Sequence, residues 1–468
     1  MGKLDSIRAY LQEHQGIFTD LGDRLWAKPE LGLQEHESSR AFMDLLANAG
    51  FSLQRVESLP TAFVASYGEG RPVIALLGEY DALPGLSQAP GVAEPSPIVD
   101  GGPGHGCGHN LLGTAAVAAA MALADAMRGG SLRGTVRFYG CPAEETLVGK
   151  VFMAKAGLFD DVDCALTWHP GTANAVWASS SQAMNSLRVQ FTGRSAHAAA
   201  NPEDGRSALD AVELMDVGAN FLREHVPADA RIHYVITDGG DAPNVVPAHA
   251  EVWYYVRAAR RGDVEAIHLR LLDVARGAAL MAGVSHRVEL VTGCYDTLAN
   301  RTLGDVLQQQ METLGAPRYS SGEHDLARRL QATFPEGTLQ RAVRHMHRRG
   351  LDLPDACDLV EAVAPVSGYG ETEPGSTDVG DVSHIVPTAQ FTAVTAPLGT
   401  PGHSWQNVVA VGSDIGRRGM LYASEVLALA TARLLAEPGL VAKAQEEFRR
   451  EAEPYLSPVR DVAQPPQG

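Results

Sequence analysis

The chain has 468 residues, 45% of them hydrophobic and 20% charged, a composition that suits a globular protein with more than one domain. Its formal net charge of −18 argues against nucleic acid and anionic membrane surfaces as partners, while a small anionic substrate stays compatible with it. The five cysteines are widely spread and odd in number, and the N-terminal segment has no apolar signal-like region, so we expect reduced thiols in the cytoplasm.

Helix-like and strand-like segments alternate through the first part of the chain. Amphipathic periodicity predicts two helices within residues 4–50, and Asn110 is a favourable N-cap for a later helix. The apolar run of that later helix is too short to span a membrane. Beyond residue 50 the predicted segments are strand 72–77, helix 111–127, strand 135–139, helix 149–158 and strand 164–167. This alternation predicts an α/β fold in which a mostly parallel sheet has helices on both faces.

The pattern changes near residue 185. Six segments then follow in the order strand, helix, strand, strand, helix, strand, which is the order of a ferredoxin-like α+β unit. These segments are 186–192, 205–225, 231–237, 250–257, 261–283 and 286–291, and the helices 302–314 and 419–435 come after them. We therefore predict a metallohydrolase domain over 1–184 and 296–468, with an inserted lid or dimerisation domain over 185–295. The proline-rich tail after residue 454 is expected to be frayed.

Four compact turns carry side chains that can bind metal ions. Cys107 and His109 stand two residues apart in a glycine-rich loop, and two of the other turns follow strand-like runs, where open α/β sheets place their sites. Together the turns supply one thiolate, three imidazoles and two carboxylates, from Cys107, His109, His169, His403, Glu144 and Glu145. A lone cysteine is more often a core residue, and glutamates often lie solvated at a helix start. The combination favours a two-metal hydrolase site.

Amide hydrolysis at neutral pH requires an activated water, and a pair of cations lowers the pKa of such a water. Adjacent glutamates can divide the work, one holding metal and the other moving the proton. A thiolate favours zinc, whereas imidazole and carboxylate also accept manganese or cobalt, so these ligands do not fix the metal.

Two longer motifs point to a family. The segment Gly-His-Gly-Cys-Gly-His-Asn-Leu-Leu-Gly-Thr at 104–114 and the segment Ser-Thr-Asp-Val-Gly-Asp at 376–381 resemble the cysteine-containing branch of the M20 metallopeptidase and aminoacylase family. The likeness extends over nearly the whole chain, including the predicted inserted domain. The resemblance implies two divalent metal ions, Glu144 as general acid/base, and the metal ligands Cys107, His109, Glu145, His169 and His403.

The resemblance also implies roles for residues of the inserted domain. His197 would stabilise the oxyanion, across a dimer interface, although it could also be a helix-capping loop residue. Asn244 and Arg257 resemble positions that bind the substrate carboxylate, with a plain surface charge as the alternative for Arg257. Many family members place a ligand in a His-x-Asp motif, whereas this chain has Glu-Tyr-Asp, so Asp81 is expected to orient a ligand rather than bind metal. The role of Asp378 stays open.

The implied activity is metal-dependent hydrolysis of an N-acyl amino acid with a free carboxylate, and an aroyl-glutamate such as p-aminobenzoyl-glutamate is the favoured substrate. β-Alanyl dipeptides and auxin-like conjugates share the chemistry and stay open as substrates. The partner would be a second copy or a related subunit. Two alternatives come from other classes: a non-catalytic partner subunit, and a cysteine hydrolase with Cys107 as nucleophile.

Overall fold

The computed structural model describes residues 3–130 and 132–466. Residues 1–2, the start of the segment in which we found no signal-like region, lie outside them. Two sheets organise these residues. The strands of the larger sheet are β1 (Ser52–Val56), β2 (Leu59–Glu69), β3 (Val73–Glu79), β4 (Gly134–Cys141), β5 (Cys164–Gly171), β6 (Ala175–Trp177) and β11 (Thr388–Val394). The strands of the smaller sheet are β7 (Ala183–Thr192), β8 (Arg231–Asp238), β9 (His249–Ala258) and β10 (Ser285–Cys294).

Fourteen α-helices are described. Before the smaller sheet come α1 (Lys3–Glu13), α2 (Gln15–Ala27), α3 (His36–Asn48), α4 (His109–Arg128) and α5 (Gly149–Lys155). Between the strands of the smaller sheet, in chain order, come α6 (Ala208–Leu222) and α7 (Arg261–Ala282). After it come α8 (Arg301–Leu314), α9 (Ser321–Gln331), α10 (Thr338–Arg348), α11 (Val379–Ser383), α12 (Trp405–Val411), α13 (Asp414–Ala436) and α14 (Pro438–Glu451).

The larger sheet has the order β1-β2-β4-β3-β5-β11-β6, and its four central strands, β4, β3, β5 and β11, run parallel. β3 is buried along its whole length, as expected for a strand covered on both faces. One hydrophobic cluster lies on one side of the sheet and contains residues of helices α1, α2, α3, α4, α8 and α13. A second cluster lies on the other side and includes residues of α5. The predicted α/β fold with a mostly parallel sheet is confirmed.

The smaller sheet has the order β10-β7-β9-β8 and is antiparallel throughout. Its elements follow in the chain as β7, α6, β8, β9, α7 and β10, which confirms the predicted ferredoxin-like order. α6 and α7 pack on one face of this sheet around a separate core that includes Val189, Met215 and Leu271. The boundary at 185–295 stays a prediction, and the sheet itself extends from residue 183 to residue 294.

Two expectations about the helices are wrong. Residues 4–50 form three helices rather than two, because the chain breaks at His14, whose ring Nδ1 bonds the Tyr10 carbonyl at 2.9 Å, and again before α3. Asn110 does not cap α4. That helix begins at His109 after Gly108, whose φ of 83° suits glycine, and the Asn110 amide donates to the Gly22 carbonyl.

Residues 455–462 of the C-terminal tail are packed rather than frayed. The side chain of Val459 is fully buried in the second core cluster. The Tyr455 hydroxyl donates to Asp381 at 2.7 Å. Burial of these apolar groups offsets the entropy that would otherwise leave the tail free.

By length and composition alone, α4 and α13 are long and apolar enough to cross a membrane. The expectation that the apolar run of α4 is too short to do so is therefore not met by this criterion. Packing buries 89% of the 18-residue apolar stretch of α4 and 78% of the corresponding stretch of α13, as in core helices of a folded domain.

Candidate metal centre

The predicted ligands come together where the central parallel strands end. Glu144 and Glu145 follow β4, His169 lies near the end of β5, and His403 follows β11. Cys107 enters from the loop before α4, and His109 is the first residue of that helix. The carboxyl ends of parallel strands meet at one edge, which is where open α/β sheets bind their ligands.

Cys107 is at the centre of this arrangement. Its ligand atom forms one group with those of His109 and His169, and another with those of Glu145 and His403; within each group the ligand atoms lie within 4.8 Å of one another. The Cys107 sulfur lies 3.3 Å from His169 Nε2. A third group combines His109 with Glu144 and with Glu79. The described residues therefore offer two neighbouring ligand sets that share the cysteine.

Hydrogen bonds fix which imidazole nitrogen faces these groups. His109 Nδ1 donates to Asp81 Oδ1 at 2.9 Å, and His169 Nδ1 donates to the Pro170 carbonyl at 2.7 Å. Each ring therefore turns Nε2 toward the other candidate ligand atoms, as in histidines that bind metal while a carboxylate or carbonyl holds the other nitrogen. Burial, together with the charge of His109, lowers the pKa of His169 to about 4, so its ring is neutral and able to coordinate.

Buried atoms that form no hydrogen bond provide a test of whether a metal fits. Among the described residues, His109 Nε2, Glu79 Oε2 and Glu145 Oε1 are buried and form no hydrogen bond. Leaving such atoms unsatisfied costs about 1–3 kcal/mol each, and more when charged. A divalent cation would satisfy them together, so the residues present fit a metal site.

The thiol also fits this interpretation. Burial, with the charge of Glu145, raises the pKa of Cys107 to about 12, so the group stays protonated in the protein alone. A bound divalent cation would stabilise the thiolate, and the proton would be released. Burial, with the charges of Glu79 and Asp378, raises the pKa of Glu144 well above its usual range.

Backbone strain is concentrated in the ligand turns. Among the described non-glycine residues only four have a positive φ, and three of these flank or carry predicted site residues: Ala143 at 52°, Leu147 at 57° and His403 at 51°. Each such conformation costs on the order of 1–3 kcal/mol and persists only where the surroundings impose it. Ala143 and Leu147 bracket the two glutamates, and the turn bonds Glu145 N to Asp81 Oδ2 at 2.9 Å.

Sequence reasoning missed a buried ion network behind the ligands. Lys150 is fully buried and contacts Glu79 at 2.7 Å and Asp378 through its ammonium group. Asp378 also accepts the Lys150 backbone N–H at 2.7 Å, which gives this carboxylate its structural partner. Glu79 lies 3.3 Å from His109 Nε2, at the end of β3. The signal for Glu79 was a carboxylate at the end of an otherwise apolar strand.

The site residues predicted for the inserted domain lie in two different places. Arg257, on β9, lines a cleft of about 510 Å³ together with Glu144, Glu145 and His169. His197 and Asn244 are exposed and do not line it. These two lie beside each other: Ala198 N donates to the Asn244 carbonyl at 3.0 Å. The fold therefore brings the predicted metal ligands and Arg257 together and leaves His197 and Asn244 exposed, outside the cleft.

The chain is similar to a known domain family and to known enzymes. Residues 180–280 match the family model described as a peptidase dimerisation domain. The chain is 42% identical to one of the subunits of the p-aminobenzoyl-glutamate hydrolase of Escherichia coli (strain K12), over 94% of both chains. It is 28% identical to the Xaa-Arg dipeptidase of Mus musculus, over 92% of this chain and 88% of that protein.

A solved structure agrees with the fold. A dinuclear metal-binding peptidase of the M20 family from Bacillus subtilis superposes with a TM-score of 0.58 at 19% identity, covering 91% of this chain and 99% of that one. At this identity the similarity concerns the fold.

Proposed function

The chain belongs to the M20 metallopeptidase family and is a metal-dependent amidohydrolase, and from that premise we propose that it cleaves N-acyl amino acids, with an aroyl-glutamate such as p-aminobenzoyl-glutamate as the favoured substrate. The observation that carries the proposal is the pair of ligand groups sharing Cys107 in the cleft that also holds Arg257. The 42% identity to a chain of p-aminobenzoyl-glutamate hydrolase supports the choice of substrate.

Five residues would hold two divalent ions: Cys107, His109, Glu145, His169 and His403. When bound, the ions would lower the pKa of the attacking water and polarise the scissile carbonyl. The thiolate favours zinc, and the imidazoles and carboxylates also suit manganese or cobalt. Glu79 belongs to the same cluster through its contact with His109, and Lys150 balances its charge.

Glu144 is the proposed general acid/base. It is buried and it lines the cleft. Its carboxylate takes a proton from the attacking water and returns it to the leaving amine. Burial favours the protonated form that this second step needs, whereas nearby cations would favour the ionised form that the first step needs.

His197 is proposed to act from a partner chain. Its Nδ1 accepts the backbone N–H groups of Ala199 and Ala200 at 3.2 and 3.1 Å. The ring proton therefore lies on Nε2, which makes that atom a hydrogen-bond donor suited to a developing oxyanion. Since His197 is exposed and does not line the cleft of its own chain, a dimer would bring it to the neighbouring site.

We also propose an assembly and a compartment for the protein. The match to a dimerisation domain supports a dimer, and we propose either two copies of this chain or one copy with a related subunit. All five cysteines are free, and a metal-binding thiol needs a reducing environment, so we propose that the protein is cytoplasmic.

Asn244, beside His197, and Arg257, in the cleft, are the proposed carboxylate-binding residues.

The test is direct hydrolysis of p-aminobenzoyl-glutamate. The full chain, loaded with manganese or zinc, should release p-aminobenzoate and glutamate in equal amounts, and Glu144→Gln should not. Release of neither product by the metal-loaded chain alone, with activity only after a related subunit is added, would show that this chain is a partner subunit. Activity that survives complete metal removal would contradict the proposal.

A further inference from the structure

One wall of the cleft is lined by hydrogen-bond donors that have no acceptor. Trp177 Nε1, Gln390 Nε2 and Ser376 Oγ are buried and form no hydrogen bond with the described residues. All three residues line the cleft that contains the metal ligands. The Gln390 side chain is 4% exposed, and the indole N–H of Trp177 can only donate.

The fold places these donors side by side. Gln390 on β11 is paired directly with Trp177 on β6, so the two side chains stand on the same face of the sheet. The loop before Ser376 is tied to the segment after β6, with Gln182 N donating to the Gly375 carbonyl at 2.7 Å. The Trp177 ring packs edge-on against His169, at 5.8 Å between centroids, so the wall adjoins the metal ligands.

Charge is distributed unevenly in this cleft. Among its described lining residues the only carboxylates are Glu79, Glu144 and Glu145, all in the metal cluster. The only guanidinium is that of Arg257. The wall formed by Trp177, Gln390 and Ser376 therefore lacks any acidic group that could bind a cationic side chain.

A wall of unpaired donors is complementary to an acceptor-only group. Each donor left without a partner costs about 1–3 kcal/mol, and a carboxylate has enough lone pairs to accept from all three. A primary amide adds donors that would face other donors, and an ammonium group has no acceptor at all. Arg257 stays available for a second carboxylate on the same substrate.

We propose that Trp177, Gln390 and Ser376 form a subsite for the side-chain carboxylate of an N-acyl glutamate or aspartate. These residues would set a preference for acidic over basic amino acids, the opposite of the specificity named for the Xaa-Arg dipeptidase relative. The inference rests on the proposed function, because it assumes that the cleft takes an N-acyl amino acid.

The test compares substrates that differ only in the amino-acid side chain: N-benzoyl-glutamate, N-benzoyl-glutamine and N-benzoyl-lysine. The metal-loaded protein should cleave the glutamate compound with a kcat/KM about 100-fold above that of the lysine compound and about 10-fold above that of the glutamine compound. Trp177→Phe and Gln390→Leu should each reduce the glutamate-to-lysine ratio about 10-fold. A ratio within one variant is independent of how much of that variant is folded.

The matched control is Trp253→Phe. Trp253 lies on β9, donates its indole N–H to Ser186 at 2.8 Å and does not line the cleft, so this variant should keep the wild-type ratio. Equal cleavage of the glutamate and lysine compounds by the wild type would overturn the subsite. An unchanged ratio in both Trp177→Phe and Gln390→Leu would overturn it as well.

A binding measurement separates this inference from the proposed function. Calorimetry on metal-loaded Glu144→Gln protein should show N-benzoyl-glutamate binding about 10-fold or more tighter than N-benzoyl-lysine, and Trp177→Phe added to that variant should reduce the difference. If no N-benzoyl amino acid is hydrolysed by the wild type, the proposed function fails. The binding difference then still decides the subsite, and its absence would count against it.

Discussion

The Asp81 carboxylate accepts the Nδ1 proton of His109 at 2.9 Å, and both side chains are fully buried. Its other oxygen accepts the backbone N–H of Glu145 at 2.9 Å. Although burial opposes ionisation, His109 and these hydrogen bonds lower the pKa of Asp81. One carboxylate therefore orients two predicted metal ligands from different elements, which is the role expected for Asp81 from its place in the Glu-Tyr-Asp motif.

Replacing this carboxylate should weaken metal binding. Asp81→Asn keeps the size of the side chain but removes the charge and one of the two acceptors, so His109 and the Glu145 turn lose their common support. We expect metal affinity to fall about 10–100-fold, measured by competition with a chelator of known affinity. Asp44→Asn, at an exposed position on α3, is the control and should bind metal like the wild type. Wild-type affinity in Asp81→Asn would show that Asp81 does not orient the ligands.

Loss of Glu144 should separate metal binding from turnover. Glu144→Ala removes the proposed acid/base while leaving Cys107, His109, Glu145, His169 and His403 in place. We expect full metal content by elemental analysis and a kcat reduced on the order of a hundredfold or more. Glu145→Ala is the matched comparison and should lose metal as well as activity. Undiminished turnover in Glu144→Ala would exclude it from the mechanism.

Mixed dimers should test whether His197 serves the neighbouring active site. A dimer of one Glu144→Ala chain and one His197→Ala chain retains one site with both residues intact if His197 acts across the interface. We expect each variant alone to be nearly inactive and the mixture to recover up to a quarter of wild-type activity, as roughly half of randomly formed dimers are mixed and each has one intact site. His249→Ala, at an exposed histidine of the same unit, should not need complementation. No recovery on mixing, with dimers shown to exchange, would contradict action in trans.

A buried glutamate should make stability depend on pH. Glu35 accepts hydrogen bonds from Thr61 and the Ala143 backbone at 3.0 and 2.8 Å, and burial, with the charge of Asp81, raises its pKa to about 8. The folded chain therefore holds this proton more tightly than the unfolded chain. The resulting stability is fully present below the unfolded pKa of about 4.5 and is lost as pH rises through about 8.

Glu35→Gln should remove that part of the pH dependence. In metal-free protein we expect its Tm to fall less than that of the wild type between about pH 5 and about pH 8. Glu57→Gln, at an exposed position, should follow the wild-type curve. Parallel curves for Glu35→Gln and the wild type would show that Glu35 does not hold its proton into this range.

The sequence predicted the elements that have a strong period or clear turns. The parallel sheet, α4 and the ferredoxin-like order could all be predicted, since the spacing of their apolar residues matches their secondary structure. β1 and β11 were not predicted because strands of five and seven residues carry little periodic signal, and β2 was not predicted because its 11 residues do not alternate regularly between apolar and polar. The tail was misjudged because composition indicates local flexibility but not the cavity into which Val459 packs.

A candidate ligand set could be proposed from the sequence, whereas the contacts that support it could not. Cys107, His109 and the glutamate pair stand in glycine- or proline-marked turns that a sequence displays. The Lys150 network was hidden, because Lys150 and Asp378 are 228 residues apart and only the fold joins them. The donor wall was hidden for the same reason, since Trp177 and Gln390 become neighbours through pairing of β6 with β11.

The most direct test of the central claim is a pooled hydrolysis experiment followed by mass spectrometry. The purified chain, with and without a chelator, is incubated with a set of N-acyl amino acids and dipeptides that includes p-aminobenzoyl-glutamate. We expect loss of aroyl-glutamate, with both cleavage products appearing, and complete protection by the chelator that is reversed by manganese or zinc. Turnover that persists with chelator but stops on alkylation of Cys107 would instead identify a cysteine hydrolase and contradict the metal-dependent mechanism.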